Sequence, residues 1–208
     1  MQFGLCNASQ TFQRFMHKIF GDLDFVTVFV DDICIASANQ VQHRDHIRCV
    51  LERLLINGLV INPTKSRFAQ LEVKFHGYLV NKEGLRPLPD RVQALQEFAL
   101  PSTVKELRRF LALINGYKRF LPHATDQRAS LRKLIPGNRK NDTRKLVRCD
   151  EAKAAFKDCK QSIANAALLH YPDPTKQLSL MVDASNSSAG AVLQQFDDGN
   201  WNPLGFFS

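Results

Sequence analysis

Hydrophobic spacing divides the first part of the chain into two helices around a strand-like run. One group of apolar residues has the three-and-four spacing of a helix face: Phe12, Phe15, Met16, Ile19 and Phe20. A second group predicts a helix from about Gln40 to Asn57: Ile47, Val50, Leu51, Leu54 and Leu55. Gly21 and Gly58 follow the two groups as helix stops.

The run between the helices, `FVTVFVDDICIAS`, is apolar except for Asp31 and Asp32 near its middle. A single straight strand would direct one carboxylate into each packed layer, so the run is predicted to form a hairpin with the acids at its turn. Aspartate favours turns, which is the simplest explanation of the pair. Two adjacent carboxylates also repel each other unless a cation neutralises them, and Mg²⁺ is the usual cation.

The remaining pattern predicts a mixed α+β chain. `LVINP` and `VKFHGYLV` have strand-like composition and complete a first domain that ends near Leu85. A capping box at Thr103 and Glu106 starts a further helix, and the polar stretch `IPGNRKNDTRK` resembles a linker. A helix from about Asp150 to Ala164 precedes a predicted three-stranded β-meander, with Asp183 at the end of its first strand.

Composition limits the class of protein. The 208 residues are 44% hydrophobic, which excludes a disordered chain, and the net charge of +8 suits a polyanionic partner such as nucleic acid. A basic protein without such a partner explains the charge equally well. The five cysteines form no C-x-x-C pair and are interpreted as buried reduced thiols. No apolar run is long enough to span a bilayer, so we expect an intracellular protein, cytoplasmic or nuclear.

Basic residues are concentrated in the predicted helical segment after Leu85. They alternate with aromatic residues, and the group comprises Lys105, Arg108, Arg109, Lys118, Arg119, Arg128, Arg132 and Lys133. Such a run is usually a solvated face. Its mixture with Phe110, Tyr117 and Phe120 is also compatible with a surface that follows a phosphate backbone.

Five motifs in order resemble one known family over essentially the whole chain. `MQFGLCNASQTFQRFM`, `FVDD` with `NPTKSRF`, and `FHGYLV` resemble the palm of gypsy-like long-terminal-repeat retrotransposon reverse transcriptases. `LPSTVKELRRFLALINGYKRFLP` resembles the segment that follows the palm, and `LLHYPDPTKQLSLMVDASNSSAGAVLQQ` resembles the start of the ribonuclease H domain. The resemblance implies a palm over residues 1–85, a helical thumb or connection segment with a linker over 86–145, and part of a ribonuclease H-like domain over 146–208.

The resemblance also implies roles for individual residues. Asp31 and Asp32 belong to the polymerase site, where Mg²⁺ ions hold the primer 3′-hydroxyl and the triphosphate, and Asp183 is the first metal ligand of the ribonuclease H site. Phe3 and Gly4 face the template and incoming deoxynucleotide, and Lys65 lies near the triphosphate. The expected nucleic-acid contacts to the RNA/DNA primer-template are Phe75, Gly77, Arg108, Arg109, Lys118 and Arg119. For Lys65 a surface role and for Phe75 core packing are the plain alternatives.

The family's two active sites require acids that this sequence does not supply. One aspartate comes from upstream of the first motif, with the fingers, and the later ribonuclease H acids come from downstream. We therefore expect these segments of the same polyprotein as partners, and weak binding of a single ion by Asp31 and Asp32 alone. Two functions remain open: part of an RNA-directed DNA polymerase with ribonuclease H, or a noncatalytic nucleic-acid-binding remnant.

Overall fold

The computed structural model describes residues 5–122, 124–135, 137, 142–146, 150–184 and 189–207, with the side chains of residues 124–127 excepted. The chain divides into two compact units, Met1–His76 and Gly77–Ser208. The first unit contains α1 (Ala8–Phe20), β1 (Val26–Phe29), β2 (Asp32–Ile35), α2 (Gln40–Ile56) and β3 (Glu72–Phe75). The second contains β4 (Tyr78–Asn81), β5 (Gly84–Pro87), α3 (Pro89–Gln96), α4 (Val104–Asn115), α5 (Ala124–Lys133), α6 (Asp150–Ala164), β6 (Leu178–Ala184), β7 (Ala189–Asp197) and β8 (Asn200–Phe207).

The first unit packs its two long helices against the β1–β2 hairpin. Its buried core consists of Met16, Ile19, Phe20, Val50 and Leu54, and the inward side chains of both strands pack against it. Arg53 of α2 donates to the Ile19 carbonyl oxygen at 2.7 Å and pairs with Asp22, so that the end of α1 is held against α2. The predicted helices and hairpin are confirmed.

The second unit has a helical core that extends across the connecting segment and the last helix. Its buried members come from α3, α4, the turn after α4, α5 and α6: Leu95, Leu107, Phe110, Leu111, Ile114, Leu121, Leu131, Phe156, Cys159 and Ile163. At the start of α4, Thr103 accepts a hydrogen bond from the Glu106 backbone N–H, and the Glu106 carboxylate accepts from Ser102. The hydrogen bonds of Ser102 and Thr103 lower the pKa of Glu106, which stabilises the helix start.

The antiparallel sheet β6–β7–β8 forms the predicted β-meander. The segment before it approaches the β4–β5 hairpin, where Leu85 and Leu169 exchange backbone hydrogen bonds of 2.8 and 2.9 Å. A Cβ at Gly84 would lie 2.1 Å from the Leu169 carbonyl oxygen, so only glycine permits this approach. The described fold is therefore α+β, as predicted.

Three local expectations differ from the structure. `LVINP` forms no strand: Leu59 and Ile61 pack against the helices, whereas Val60 is 95% exposed. Residues 142–145, expected to be linker, run along the start of α4. The carbonyl oxygen of Arg144 accepts from the Val104 N–H, and that of Asp142 accepts from the Lys105 N–H. Of the described cysteines, only Cys159 is fully buried, and Cys6 is exposed.

Candidate functional site

The acidic pair lies at the tip of the β1–β2 hairpin. Phe29 pairs with Asp32 across the last rung of the hairpin, which leaves Val30 and Asp31 as a two-residue loop. Both carboxylates are exposed to solvent, and neither has a hydrogen bond or salt bridge within the described part of the chain. The structure places both acids at a turn and outside the packed layers, as predicted.

The backbone of this turn is strained. Val30 has a φ of +52°, a left-handed conformation that costs a β-branched residue roughly 1–3 kcal/mol. The side-chain amide of Gln13 on α1 holds the turn from one side: its Nε2 donates to the Val28 carbonyl oxygen at 3.0 Å, and its Oε1 accepts from the Val30 N–H. Sequence reasoning missed Gln13, because a lone glutamine on a helix carries no signal of its partner.

An aromatic contact joins the acidic hairpin to the end of β3. The ring centroids of Phe29 and His76 are 3.6 Å apart, and both residues are exposed. His76 and Gly77 both have positive φ, 45° and 84°, and form a tight backbone turn after the half-buried Phe75. Phe75, which is expected to contact the primer end, belongs to the same compact unit as Asp31.

The structure describes only some of the other residues expected near a nucleotide. Lys65 is exposed in a short turn in which Asn62 accepts from the backbone and hydroxyl of Thr64. Phe3 and Gly4 lie outside the described residues. The structure gives no contact between Lys65 and the acidic pair, so its nearness to a triphosphate remains a prediction.

The candidate ribonuclease H residue lies in the second unit. Asp183 is the sixth residue of β6, is exposed, and pairs in register with Gly190 of β7. The segment that follows, residues 185–188, lies outside the described residues. Asp183 thus remains a single candidate ligand at the end of an edge strand.

The basic residues of the second unit divide into exposed and engaged groups. Arg109, Lys118 and Arg119 are exposed, and the Arg119 guanidinium lies 5.8 Å from the Phe120 ring centroid. Arg108 is half-buried and donates to the Gly137 carbonyl oxygen. These four residues remain predicted nucleic-acid contacts, and the geometry favours the three exposed ones.

Arg128 was expected on the solvated basic face and is instead buried. It is only 3% exposed and donates to the Asn115 side chain at 2.9 Å. Burial lowers the pKa of its guanidinium, with Arg132 contributing in the same direction. Arg128 is therefore part of the helical core and not of a phosphate-binding surface.

The residues present fit a divalent cation only as part of a ligand set. Carboxylate oxygens are preferred ligands of Mg²⁺, which commonly binds one or two of them together with substrate phosphates and water. Asp31 and Asp32 supply two such groups at an exposed tip. Within the described ranges, no group of three or more histidine, cysteine, aspartate or glutamate residues could hold a metal ion. Nor does any described helix combine the length and apolarity required to cross a bilayer.

Two segments of the chain match known protein families. Residues 1–80 match the family model of reverse transcriptase (RNA-dependent DNA polymerase), and residues 149–208 match that of the RNase H-like domain found in reverse transcriptase. The chain is 35% identical over its full length to the retrovirus-related Pol polyprotein from transposon 297 of Drosophila melanogaster. It is 32% identical over its full length to the transposon Tf2-3 polyprotein of Schizosaccharomyces pombe. It spans 19% and 16% of the length of these relatives. The resemblance to gypsy-like retrotransposon polyproteins is confirmed.

Solved structures support the fold. A foamy viral protease-reverse transcriptase of the form named dRH, in complex with double-stranded DNA, matches 98% of this chain with a TM-score of 0.83 and 22% identity. The same type of protein in complex with an RNA/DNA hybrid matches 99% of this chain with a TM-score of 0.82 and 22% identity. The chain corresponds to 35% and 27% of those proteins. The chain therefore shares its fold with part of these proteins.

Proposed function

Because residues 1–80 belong to the reverse transcriptase family and residues 149–208 to the RNase H-like domain of reverse transcriptases, we propose that the chain forms part of two nucleic-acid enzymes. In the first, Asp31 and Asp32 hold Mg²⁺ for RNA-directed DNA synthesis. In the second, Asp183 is one metal ligand of a ribonuclease H. The observation that carries the proposal is the exposed acidic pair at the tip of the β1–β2 hairpin, with no cation from the described residues beside it.

The hairpin suits nucleotidyl transfer because it presents charge without burying it. When bound, Mg²⁺ would neutralise negative charge on the triphosphate and favour the ionised form of the primer 3′-hydroxyl. Asp31, in the loop, is the direct ligand in this proposal, and Asp32, at the first position of β2, adjusts the local charge. Among the described residues, the hairpin tip offers only the carboxylates of Asp31 and Asp32, so the remaining ligands in this proposal come from the deoxynucleotide, water and an upstream segment of the polyprotein.

The other candidate residues, from both units, are assigned to the substrates. Phe75 and Gly77 contact the primer end, with the Phe29–His76 ring contact fixing the end of β3 against the hairpin. Lys65 neutralises the leaving pyrophosphate, and Phe3 and Gly4 face the template and incoming nucleotide. The net charge of +8 supports a polyanionic partner, and Arg109, Lys118 and Arg119 are exposed for contact with the primer-template backbone. Arg108 is proposed at the edge of the same surface.

Primer extension tests the polymerase assignment. The chain is placed in the transposon 297 polyprotein in exchange for the matching segment, and Mg²⁺-dependent extension of an RNA-templated primer is measured. Asp31→Asn should lower the rate by about 100-fold or more, the loss typical of removing one group that stabilises developing charge. Asp24→Asn is the matched control, because Asp24 is an exposed aspartate of the same unit outside the hairpin tip. Equal rates for the two variants would contradict the assignment.

A salt titration separates the enzyme from a noncatalytic binding remnant, which the family matches do not favour. Filter binding of the primer-template should weaken steeply with salt, and replacing Arg109 and Lys118 with glutamine should reduce the slope by about two, one for each lost phosphate contact. Binding with a steep slope but no extension by the unmodified chimera would favour the remnant.

A further inference from the structure

We propose that Gln13 is a positioning residue for the acidic pair: its side-chain amide fixes the strained turn that carries Asp31 and Asp32. The expected effect of Gln13 on metal binding rests on the proposed function of the hairpin. The contact between Gln13 and the turn is a property of the fold and does not depend on that function. No feature of the resemblance assigns Gln13 a role.

The contact uses both ends of one primary amide. Gln13 is half-buried on α1, and its Nε2 donates to the Val28 carbonyl oxygen while its Oε1 accepts from the Val30 N–H. The two backbone groups lie on either side of Phe29, at the point where β1 ends and the loop begins. A helix side chain is therefore bonded to the strand end and to the first loop residue at the same time.

The turn requires such a support because of its sequence. Hairpin loops with a positive φ at the first loop residue normally have glycine there, and this one has Val30 at +52°. Without the hydrogen bond to its N–H, Val30 would relax toward negative φ. Rotation at Val30 turns the following peptide, which carries Asp31. The two carboxylates would then no longer be presented together at the tip.

The chemistry of the amide explains why glutamine fits this position. Glutamate would still accept from the Val30 N–H but could not donate to the Val28 carbonyl oxygen, and it would add a third negative charge near the pair. Leucine would remove both hydrogen bonds while keeping a similar volume. Gln10, one turn earlier on α1, is exposed and provides a matched control of the same residue type.

The first measurement does not depend on metal binding or on activity. Amide hydrogen exchange is followed by NMR on the full 208-residue chain. Gln13→Leu should make the Val30 amide exchange about fivefold faster or more, the factor that corresponds to one neutral hydrogen bond. Gln10→Leu should leave it unchanged. Equal protection of Val30 in the wild type and Gln13→Leu would overturn the inference.

The second measurement tests the consequence for the carboxylates, with Mn²⁺ as the probe. Loss of a hydrogen bond that orients a ligand commonly costs ~10–100-fold in metal affinity, so Gln13→Leu should weaken Mn²⁺ binding at the hairpin about tenfold. Val30→Gly should restore the affinity in the Gln13→Leu background, because glycine adopts positive φ without support. If Gln13 only stabilised the fold, Val30→Gly would not restore the Mn²⁺ affinity of Gln13→Leu.

The outcomes distinguish this inference from the proposed function. If the wild-type hairpin binds no Mn²⁺, the proposed function fails, and the exchange of the Val30 amide still decides the role of Gln13 in the turn. If the wild type binds Mn²⁺ and Gln13→Leu binds it equally well, the positioning role is overturned. Should Gln13→Leu not fold, Gln13→Met provides the same comparison, because its thioether cannot donate to the Val28 carbonyl oxygen and is only a weak acceptor for the Val30 N–H. Faster Val30 exchange and weaker Mn²⁺ binding than in Gln10→Met would support the inference, and equal values in the two variants would overturn it.

Discussion

Replacing Phe110 with alanine should destabilise the helical core of the second unit severely. Phe110 has no exposed surface, and its ring centroid lies 4.4 Å from that of Phe156 and 5.4 Å from that of Phe98. Truncating a buried phenylalanine to alanine costs about 3–5 kcal/mol, because transfer free energy is lost and a cavity remains. Two aromatic contacts are lost as well, which places this site toward the upper part of that range.

Urea unfolding measures the effect with two probes. Far-UV circular dichroism follows the helices, and fluorescence of Trp201, the single tryptophan, follows β8 in the same unit. With a typical slope of about 2 kcal/mol per molar urea, a loss of about 4 kcal/mol lowers the midpoint by about 2 M. Leu113→Ala is the matched control, since Leu113 lies on the same helix but is 39% exposed, and its cost should be below about 1 kcal/mol.

The two probes test whether the helical core and the last sheet fold together. Phe156 belongs to α6, within the segment that matches the RNase H-like domain, whereas Phe110 belongs to α4. Both signals should shift in parallel when Phe110 is truncated. A Trp201 transition that stays at the wild-type midpoint while the helical signal shifts would refute the reasoning, because the sheet would then be independent of that core.

Three further changes should act through single contacts. Gly84→Ala should destabilise the second unit by about 2 kcal/mol or more, because its Cβ would displace the Leu169 carbonyl and break two backbone hydrogen bonds; thermal unfolding measures this. Hydrogen bonds from Arg144 lower the pKa of Asp142 from its ordinary 3.8 to about 2, so the stability it contributes is present above pH 4 and is lost as the pH falls toward 2. Asp142→Asn should therefore flatten the acid limb of the stability curve between about pH 5 and 2, measured by urea unfolding at each pH. Burial raises the pKa of Cys159 to about 11, so iodoacetamide at pH 8 should label this thiol only after the unit unfolds, as followed by mass spectrometry.

Controls for these changes are present in the chain. Gly199→Ala has the positive φ of 81° but open space around the new Cβ, so it should cost less than Gly84→Ala. Asp150→Asn removes a highly exposed carboxylate and should alter the acid limb less than Asp142→Asn does. Cys6 is exposed and should be labelled in the folded chain. The account would be contradicted at each site if target and control behaved alike.

Residue spacing predicted the main elements because burial follows periodicity. The apolar stripe of α1 and the three strands of the meander were visible in the sequence, and the bounds predicted for α6 are those of the structure. The acidic pair was placed at a turn because a carboxylate is costly in either packed layer. The strand predicted for `LVINP` is wrong because Leu59 and Ile61 pack on the helices without a partner strand, which a local pattern does not reveal.

The contacts that the sequence did not reveal are polar and long-range. Nothing in a run of basic residues distinguishes Arg128, which turns inward to Asn115, from its solvated neighbours. The same holds for Asp142, which lies in a polar stretch but is 4% exposed. Gln13 reaches backbone groups fifteen and seventeen positions away, so its partners are defined only once α1 packs on the hairpin.

The central claim is that the acidic pair at the hairpin tip binds a divalent cation, and paramagnetic broadening by Mn²⁺ tests it most directly. In NMR spectra of the full chain, substoichiometric Mn²⁺ should first broaden the amide signals of residues 30–33. Asp31→Asn should abolish this local effect, and Asp24→Asn should leave it intact. Broadening that begins elsewhere, or that persists unchanged in Asp31→Asn, would contradict the account.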